Sequence, residues 1–223
     1  WSASGHVKTL HRPLRVKETT LEDGSKAWAS DGAPSDCVAL AQLGFIPEKI
    51  DMVVSGINSN ANIGHDVTYS GTVTAAMEAA IWGIPGVAVS LDRPENHSGA
   101  IDYEPAAQAA QRIVAWLIEQ QDIPEDTVLN VNIPYKPLSE MKGFKITRQG
   151  LRIYRDALLR RLDPRGKPYY WIGGEAPIGV EEPGTDYGSL AAGYVSITPL
   201  QLDLTSQAMK TWMEDRSFEE DFN

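Results

Sequence analysis

Three asparagines at alternate positions, Asn58, Asn60 and Asn62, stand a few residues before the triplet Ser70-Gly71-Thr72. An asparagine side chain carries a neutral, hard oxygen able to ligate Mg²⁺, Mn²⁺ or Ca²⁺, and an NH₂ able to donate to a phosphate oxygen. Two hydroxyls at the start of a helix, beside backbone N–H groups that no helical carbonyl reaches, make a cradle for an anion. Gly71 would let that anion approach the backbone closely. Both groups also have plainer uses. Loop asparagines tolerate left-handed backbone, and a serine can cap a helix without binding anything. A capping serine can still line a site, so the cap does not exclude the cradle. The chemistry indicated is recognition of an anion such as phosphate, alone or with a hard divalent ion.

The elements that must position these groups are legible around them. Residues 52–55 form a short apolar run, 72–82 an Ala-rich helix stopped by Gly83 and Pro85, and 87–91 a second apolar run. This is the pattern of a parallel βαβ unit, with the polar loop at the carboxyl end of its first strand, where open α/β sheets bind ligands. Gly56 leaves Asn58 little obstructed at that edge. Upstream, residues 14–20 and 26–29 read as a hairpin around Asp23-Gly24, and Pro34 and Asp36 open a helix that runs to residue 43 and ends at Gly44. Asp36 is read there as a helix-end residue before a catalytic one. Downstream, a helix over 104–120 buries Ala106, Ala109, Ala110, Ile113, Val114 and Leu117 on one face and leads to a strand over 128–133.

After Pro134 the texture changes. Residues 145–149, 152–159 and 168–172 read as strands without intervening helices, and Asp163-Pro164-Arg165-Gly166 fits a type I turn. A strand over 194–198 returns to the main sheet, a helix covers 206–215, and 214–223 is an acidic end. The expected organisation is an α/β core with a mostly parallel sheet over 1–134, a β-rich hairpin lobe over 135–205, and a C-terminal helix with acidic tail over 206–223.

The bulk properties narrow the function. With 30 acidic and 20 basic residues the net charge is −10, which argues against non-specific binding to nucleic acid or to anionic membranes. No apolar run is long enough to span a bilayer. A single cysteine, Cys37, is expected to be a small core residue on a helix face rather than a nucleophile, and the reducing cytoplasm is the expected compartment. Arg152, Arg155, Arg160, Arg161, Arg165 and Lys167 read as solvated charges on a hairpin, or as a face for an anion or an acidic partner subunit. The motifs of serine hydrolases, zincins, CxxC proteins and P-loop NTPases are absent, and the four histidines lack ligand spacing.

Neutral oxygens alone hold a divalent cation weakly, because such ions in proteins usually take a carboxylate. The nearest acid in the loop is Asp66, beside His65; the pair reads as ligand and proton carrier or as ordinary loop polarity. The chain opens on Trp1 as a loop entering a strand, so a preceding segment that carries the carboxylates is expected.

The run VVSGINSNANIG followed by YSGTVTAAMEA resembles the central signature of the SurE survival proteins, which are metal-dependent nucleotidases with an acid-phosphatase-like activity. SASGH near the start, GAPSDCV, LNVNIP, DPRGKPYYWIG and GTDYGSLAAGYVSITPLQLDLT agree with it. The resemblance implies a Rossmann-like, three-layer α/β core, with a β-hairpin and a C-terminal arm exchanged between subunits of a homodimer or homotetramer. It also implies a divalent metal, Mg or Mn, held by two adjacent aspartates after the first strand, by a serine and by an asparagine. The last two correspond to Ser2 and Asn58; the aspartate pair has no counterpart in this sequence. Ala33 stands where the family usually has threonine. The expected activity is hydrolysis of nucleoside 5′-monophosphates, extending to 3′-monophosphates and short polyphosphate. In it Asn62, Ser70 and the Gly71 and Thr72 amides would stabilise the phosphoryl oxygens. Two rival readings are a nucleotide-binding regulator without turnover, and a structural oligomer whose β-rich arm is the working part.

Overall fold

A computed structural model describes residues 5–216, apart from the side chains of 175 and 176. Ser2 and the end of the acidic tail lie outside the described residues. A hairpin of β1 (Val16–Thr20) and β2 (Lys26–Ser30) precedes α1 (Pro34–Leu40). Then follow β3 (Val53–Asn58), α2 (Gly71–Ile81), β4 (Gly86–Asp92), α3 (Glu104–Ile118) and β5 (Thr127–Pro134). The second half holds β6 (Phe144–Ile146), β7 (Arg152–Leu162), β8 (Pro168–Gly179), α4 (Asp186–Ala191), β9 (Val195–Gln201) and α5 (Gln207–Glu214).

Five strands make the central sheet in the order β3-β4-β5-β9-β6, and all neighbours are parallel except β5 and β9. The fold is therefore α/β with a mostly parallel sheet. Alternation along the strands sorts the side chains into two layers. Val87, Val89 and Leu91 of β4, with Val131 and Ile133 of β5, pack against Ala106, Ala109, Ile113 and Leu117 of α3. Each of the larger apolar side chains so buried is worth roughly 1.5–3 kcal/mol. On the opposite face Ala88, Val128 and Leu200 meet Val73, Ala76 and Ala80 of α2, and α1 packs outside through Val38 against Ala75 and Ala79. The alanines of α2 let it lie close to the sheet: a Cβ on Gly86 would stand 2.2 Å from the Ala76 carbonyl oxygen.

Several elements differ from the sequence expectation. The helix from Pro34 is regular only to Leu40 and then widens into a π-type turn, Ala41–Phe45, in which Gly44 takes a φ of 99°. Cys37 is exposed rather than a core residue. Its helix face looks onto a groove of about 490 Å³ along β3, bordered by Pro34, Val38, Val53 and Val54, and no described element covers that side of the strand. β6 is three residues long: beyond it the Thr147 N–H still donates to the Ile197 carbonyl (2.9 Å) and the Thr147 hydroxyl bonds those of Ser196 (2.8 Å) and Thr198 (2.7 Å), but Arg148 then bridges to Thr185 instead of β9. The ribbon strands β7 and β8 are longer than expected, at 11 and 12 residues. The turn Asp163–Gly166 joins them, with the Asp163 carboxylate accepting the Arg165 and Lys167 N–H groups. Helix α4 was not expected, since its six residues are too few to show a helical period; Thr185 caps it by accepting the Gly188 N–H.

Candidate active site

The site begins where β3 leaves the sheet. Gly56 has a φ of 128°, and a Cβ there would fall 2.3 Å from the Val89 carbonyl oxygen, so only glycine fits. The register against β4 shifts between Ser55 and Asn58, which brings Asn58 beside Ser90 at the carboxyl edge. The Asn58 NH₂ donates to the Asn60 carbonyl at 2.6 Å, so its amide oxygen is the atom left for an outside partner.

The chain then dives under the cradle. Asn62 is buried, and its side-chain NH₂ donates to Ser90 Oγ at 2.7 Å. Its backbone N–H donates to Asn132 Oδ1 (2.7 Å), and its carbonyl accepts from the side-chain amides of Asn130 (2.8 Å) and Asn132 (3.0 Å). In this arrangement Asn62 anchors the loop, and among the described residues its amide oxygen and second amide hydrogen have no hydrogen-bond partner. Gly64 is held in turn by the fully buried Asp186, whose carboxylate accepts the N–H groups of Gly64, Gly150 and Tyr187, each at 2.8 Å. The Gly64 carbonyl accepts from the Gln149 amide at 2.9 Å.

Asp66 is already engaged. Its carboxylate pairs with Arg152 and accepts from the Tyr154 hydroxyl, both on β7. Burial, and then the Asp66 carboxylate, push the Tyr154 phenol up to about 12. Asp66 thus ties the loop to the root of the ribbon, and His65 is exposed beside it.

The amino end of α2 completes the arrangement. Ser70 caps it, with Oγ accepting the Val73 N–H at 3.2 Å. Because the oxygen accepts in that bond, the hydroxyl proton stays available for an anion. Among the described residues no acceptor meets the N–H groups of Gly71 or Thr72. Ser70, Gly71 and Thr72 are all buried, so an anion there would be bound in a partly desolvated cradle with the helix dipole behind it. The structure thus places Asn58, Ser70, Gly71 and Thr72 at the same edge of the sheet, with Asn62 beneath. The Gly5 N–H donates to the Tyr69 carbonyl (3.1 Å), so the chain at Gly5 is fastened to this end of α2.

Two buried carboxylates serve structure. Burial raises the pKa of Asp36, but hydrogen bonds from the Thr9 N–H and hydroxyl and the Ala33 N–H, with Arg12 nearby, outweigh it and hold the carboxyl below the usual range. Asp36 is a helix-end residue, and Ala33 at the cap position supplies no side-chain bond. Glu78 on α2 is likewise held low: burial opposes, while His6 (2.9 Å), Lys8 (3.0 Å) and Trp82 (3.0 Å) more than compensate. The sequence reading passed over Glu78, Asp186, Ser90, Asn130 and Asn132. Only the asparagine pair left a local signal, two amides at i and i+2 in an otherwise apolar run, which a strand puts on one face.

An open, mostly parallel sheet flanked by helices, with a polar loop and a helix amino end at its carboxyl edge, defines a Rossmann-like α/β protein with an anion cradle at the ligand edge. Residues 1–156 match the family described as survival protein SurE, and the chain belongs to that family. It is 53% identical over 206 residues to a 5′-nucleotidase SurE of Herpetosiphon aurantiacus, an alignment that covers 92% of this chain and 80% of the relative. A 5′-nucleotidase SurE of Chloroflexus aggregans is 50% identical over 215 residues, covering 96% and 83% of the two chains. The crystal structure of a SurE protein from Aquifex aeolicus superposes with a TM-score of 0.75 at 42% identity, covering 97% of this chain and 85% of that one.

Proposed function

We propose that this chain hydrolyses the phosphomonoester of nucleoside 5′-monophosphates, releasing nucleoside and phosphate. The observation that carries the reading is the buried pair of N–H groups at Gly71 and Thr72, which meet no acceptor among the described residues, beside the Ser70 hydroxyl and at the edge where Asn58 keeps its amide oxygen free of the bond its NH₂ makes to Asn60. The relatives named 5′-nucleotidase support it. In this reading the two amides and the Ser70 hydroxyl hold the phosphoryl oxygens and take up the charge that grows on them in the transition state. Asn62 sets the loop height and offers its remaining amide hydrogen. We place 3′-monophosphates and short polyphosphate as secondary substrates, on the family resemblance alone.

The residues described fit a Mg²⁺ or Mn²⁺ ion only in part. Asn58 offers a neutral oxygen that its bond to Asn60 leaves unused, and Ser2 is the second proposed ligand. However, no group of three or more His, Cys, Asp or Glu side chains is gathered among the described residues, and Asp66 is taken by Arg152 and Tyr154. Two neutral oxygens do not balance a divalent charge. The donors therefore do not complete the metal site by themselves, and the roles assigned here are those of the chain's own groups.

The ribbon supports assembly as a homodimer or homotetramer: Leu158, Trp171 and Ile172 are 70%, 60% and 83% exposed in the single chain. The lone cysteine supports a cytoplasmic location. Among the described residues no helix is long and apolar enough to cross a membrane.

The test is phosphate release from nucleoside 5′-monophosphates, with Mg²⁺ or Mn²⁺ and with chelator, for the wild type, Asn58→Ala and Ser70→Ala. Turnover should fall by about 100-fold in Ser70→Ala, as for loss of one donor to a developing oxyanion. Asn58→Ala should lose metal-stimulated activity while unfolding like the wild type, because its amide makes a single local bond. Full activity in both variants would sink the reading. Tight nucleotide binding with no phosphate release would make the chain a nucleotide-binding regulator instead.

A further inference from the structure

Strand β5 carries two asparagines where a strand covered on both faces ordinarily carries apolar side chains. Asn130 and Asn132 are wholly buried and share one face of the sheet with Ser90 on β4 and with Ser196 and Thr198 on β9. Asn132 gives both ends of its amide to a single residue. Its Oδ1 accepts the Asn62 N–H at 2.7 Å and its Nδ2 donates to the Asn62 carbonyl at 3.0 Å. That is the pairing a neighbouring strand would offer, delivered by one side chain. Asn130 adds a second donor to the same carbonyl at 2.8 Å.

Residue 62 lies between Asn58 and Ser70, in a loop that has no ladder of its own. A backbone unit buried at that depth finds no water, so its donor and acceptor must be met by protein. We propose that Asn132 is a positioning residue of the phosphate site: by clamping the backbone of Asn62 it sets where Asn58 and the amino end of α2 stand. The proposal rests on the function proposed above. The Asn132 side-chain bonds go to the Asn62 backbone, and none goes to Asn58, Ser70, Gly71 or Thr72.

The other half of the same buried face separates this role from simple core packing. Thr147, Ser196 and Thr198 form a hydroxyl cluster with bonds of 2.8 and 2.7 Å, and none of the three bonds the loop over 59–70. Thr198 faces Asn130 across the ladder but its hydroxyl bonds only Thr147, so Thr198→Val disturbs the buried polar lattice while removing no hydrogen bond of the clamp.

The experiment compares wild type, Asn132→Ala and Thr198→Val by thermal melting, by hydrogen exchange of segment 59–64, and by steady-state kinetics on a nucleoside 5′-monophosphate. Asn132→Ala should speed exchange in 59–64. It should lower kcat about 100-fold, as a displacement on the order of 1 Å at a reacting centre can, with KM changed far less. Thr198→Val should melt earlier than wild type yet leave both readouts unchanged. Asn132→Thr keeps a neutral hydroxyl on the buried strand face but cannot meet both the N–H and the carbonyl of Asn62; it carries the same readouts should the alanine variant fail to fold. An unchanged kcat in Asn132→Ala, or an equal fall in Thr198→Val, would overturn the proposal while leaving the function intact. Wild-type protein that releases no phosphate would overturn the function, and the proposal with it.

Discussion

The loop over 59–70 and the ribbon of β7 and β8 both stand outside the helical layers, yet they are held in opposite ways. The loop is short of regular structure but is fastened at residue 62 by Asn130, Asn132 and Ser90, at 64 by Asp186 and Gln149, and at 66 by Arg152 and Tyr154. The ribbon is a regular antiparallel ladder of 11 and 12 residues, but beyond its root the described residues give it no second layer. A two-stranded ribbon is marginal alone in water. Regularity and rigidity are thus separate properties in this molecule. Side-chain bonds from the sheet pre-organise the irregular loop, whereas the regular ribbon presents Leu158, Leu159, Trp171 and Ile172 to whatever covers them.

The largest effect is expected where the loop is fastened most deeply. Asp186→Ala strips the acceptor from three backbone N–H groups at once and should lower stability by about 3–5 kcal/mol, read from the urea midpoint. A change below about 1 kcal/mol would show that the loop is not held as described.

A second, pH-dependent effect comes from the buried carboxylates that fasten residues 6–9 to α1 and α2, away from the ribbon. Asp36 and Glu78 are held below their ordinary values of 3.8 and 4.5. A carboxyl lowered in the folded state contributes its stability fully above the unfolded value and loses it as pH falls through the folded one. The melting temperature should therefore drop between about pH 5 and pH 2. Glu78→Gln, although less stable near neutrality, should show a shallower acid limb. An acid limb equally steep in Glu78→Gln and Asp36→Asn would place the acid sensitivity elsewhere.

The ribbon should respond least in stability and most in association. Trp171→Ser with Ile172→Ser should leave single-chain stability within about 0.5 kcal/mol, as for exposed positions generally. Sedimentation should nevertheless shift to smaller species. Unfolding of the single chain by this pair would mean that the ribbon is packed against its own core after all.

Much of the fold was legible because its signals are local. Short apolar runs bounded by Gly and Pro marked β3, β4 and β5, and the spacing of Ala106, Ala109, Ala110, Ile113 and Leu117 marked α3. Ser70-Gly71-Thr72 and Asn58 could be named because a helix start and a strand end have recognisable residues. What escaped depends on partners distant in the chain. Asp186 meets Gly64 across 122 positions and Asn132 meets Asn62 across 70, and no local pattern carries such a pairing. Cys37 was misplaced for a related reason, since helical spacing shows which face is apolar but not whether another element covers it. At the α1 cap Ala33 supplies no side-chain bond, and its own N–H is met by the Asp36 carboxylate at 2.8 Å.

The sequence by itself determined the βαβ frame, the edge at which a ligand would sit and the types of group offered there. These follow from periodicity, turn chemistry and the unpaired amides of a helix start, all properties of neighbouring residues. Only the tertiary structure decided which of those groups remain available. It spent the Asp66 carboxylate on Arg152 and Tyr154, committed much of Asn62 to the sheet, and left the Asn58 oxygen and the Gly71 and Thr72 amides without a partner among the described residues. The physical reason is burial: once water is excluded every polar group must find a partner, and which partner is in reach is set by packing across the whole chain.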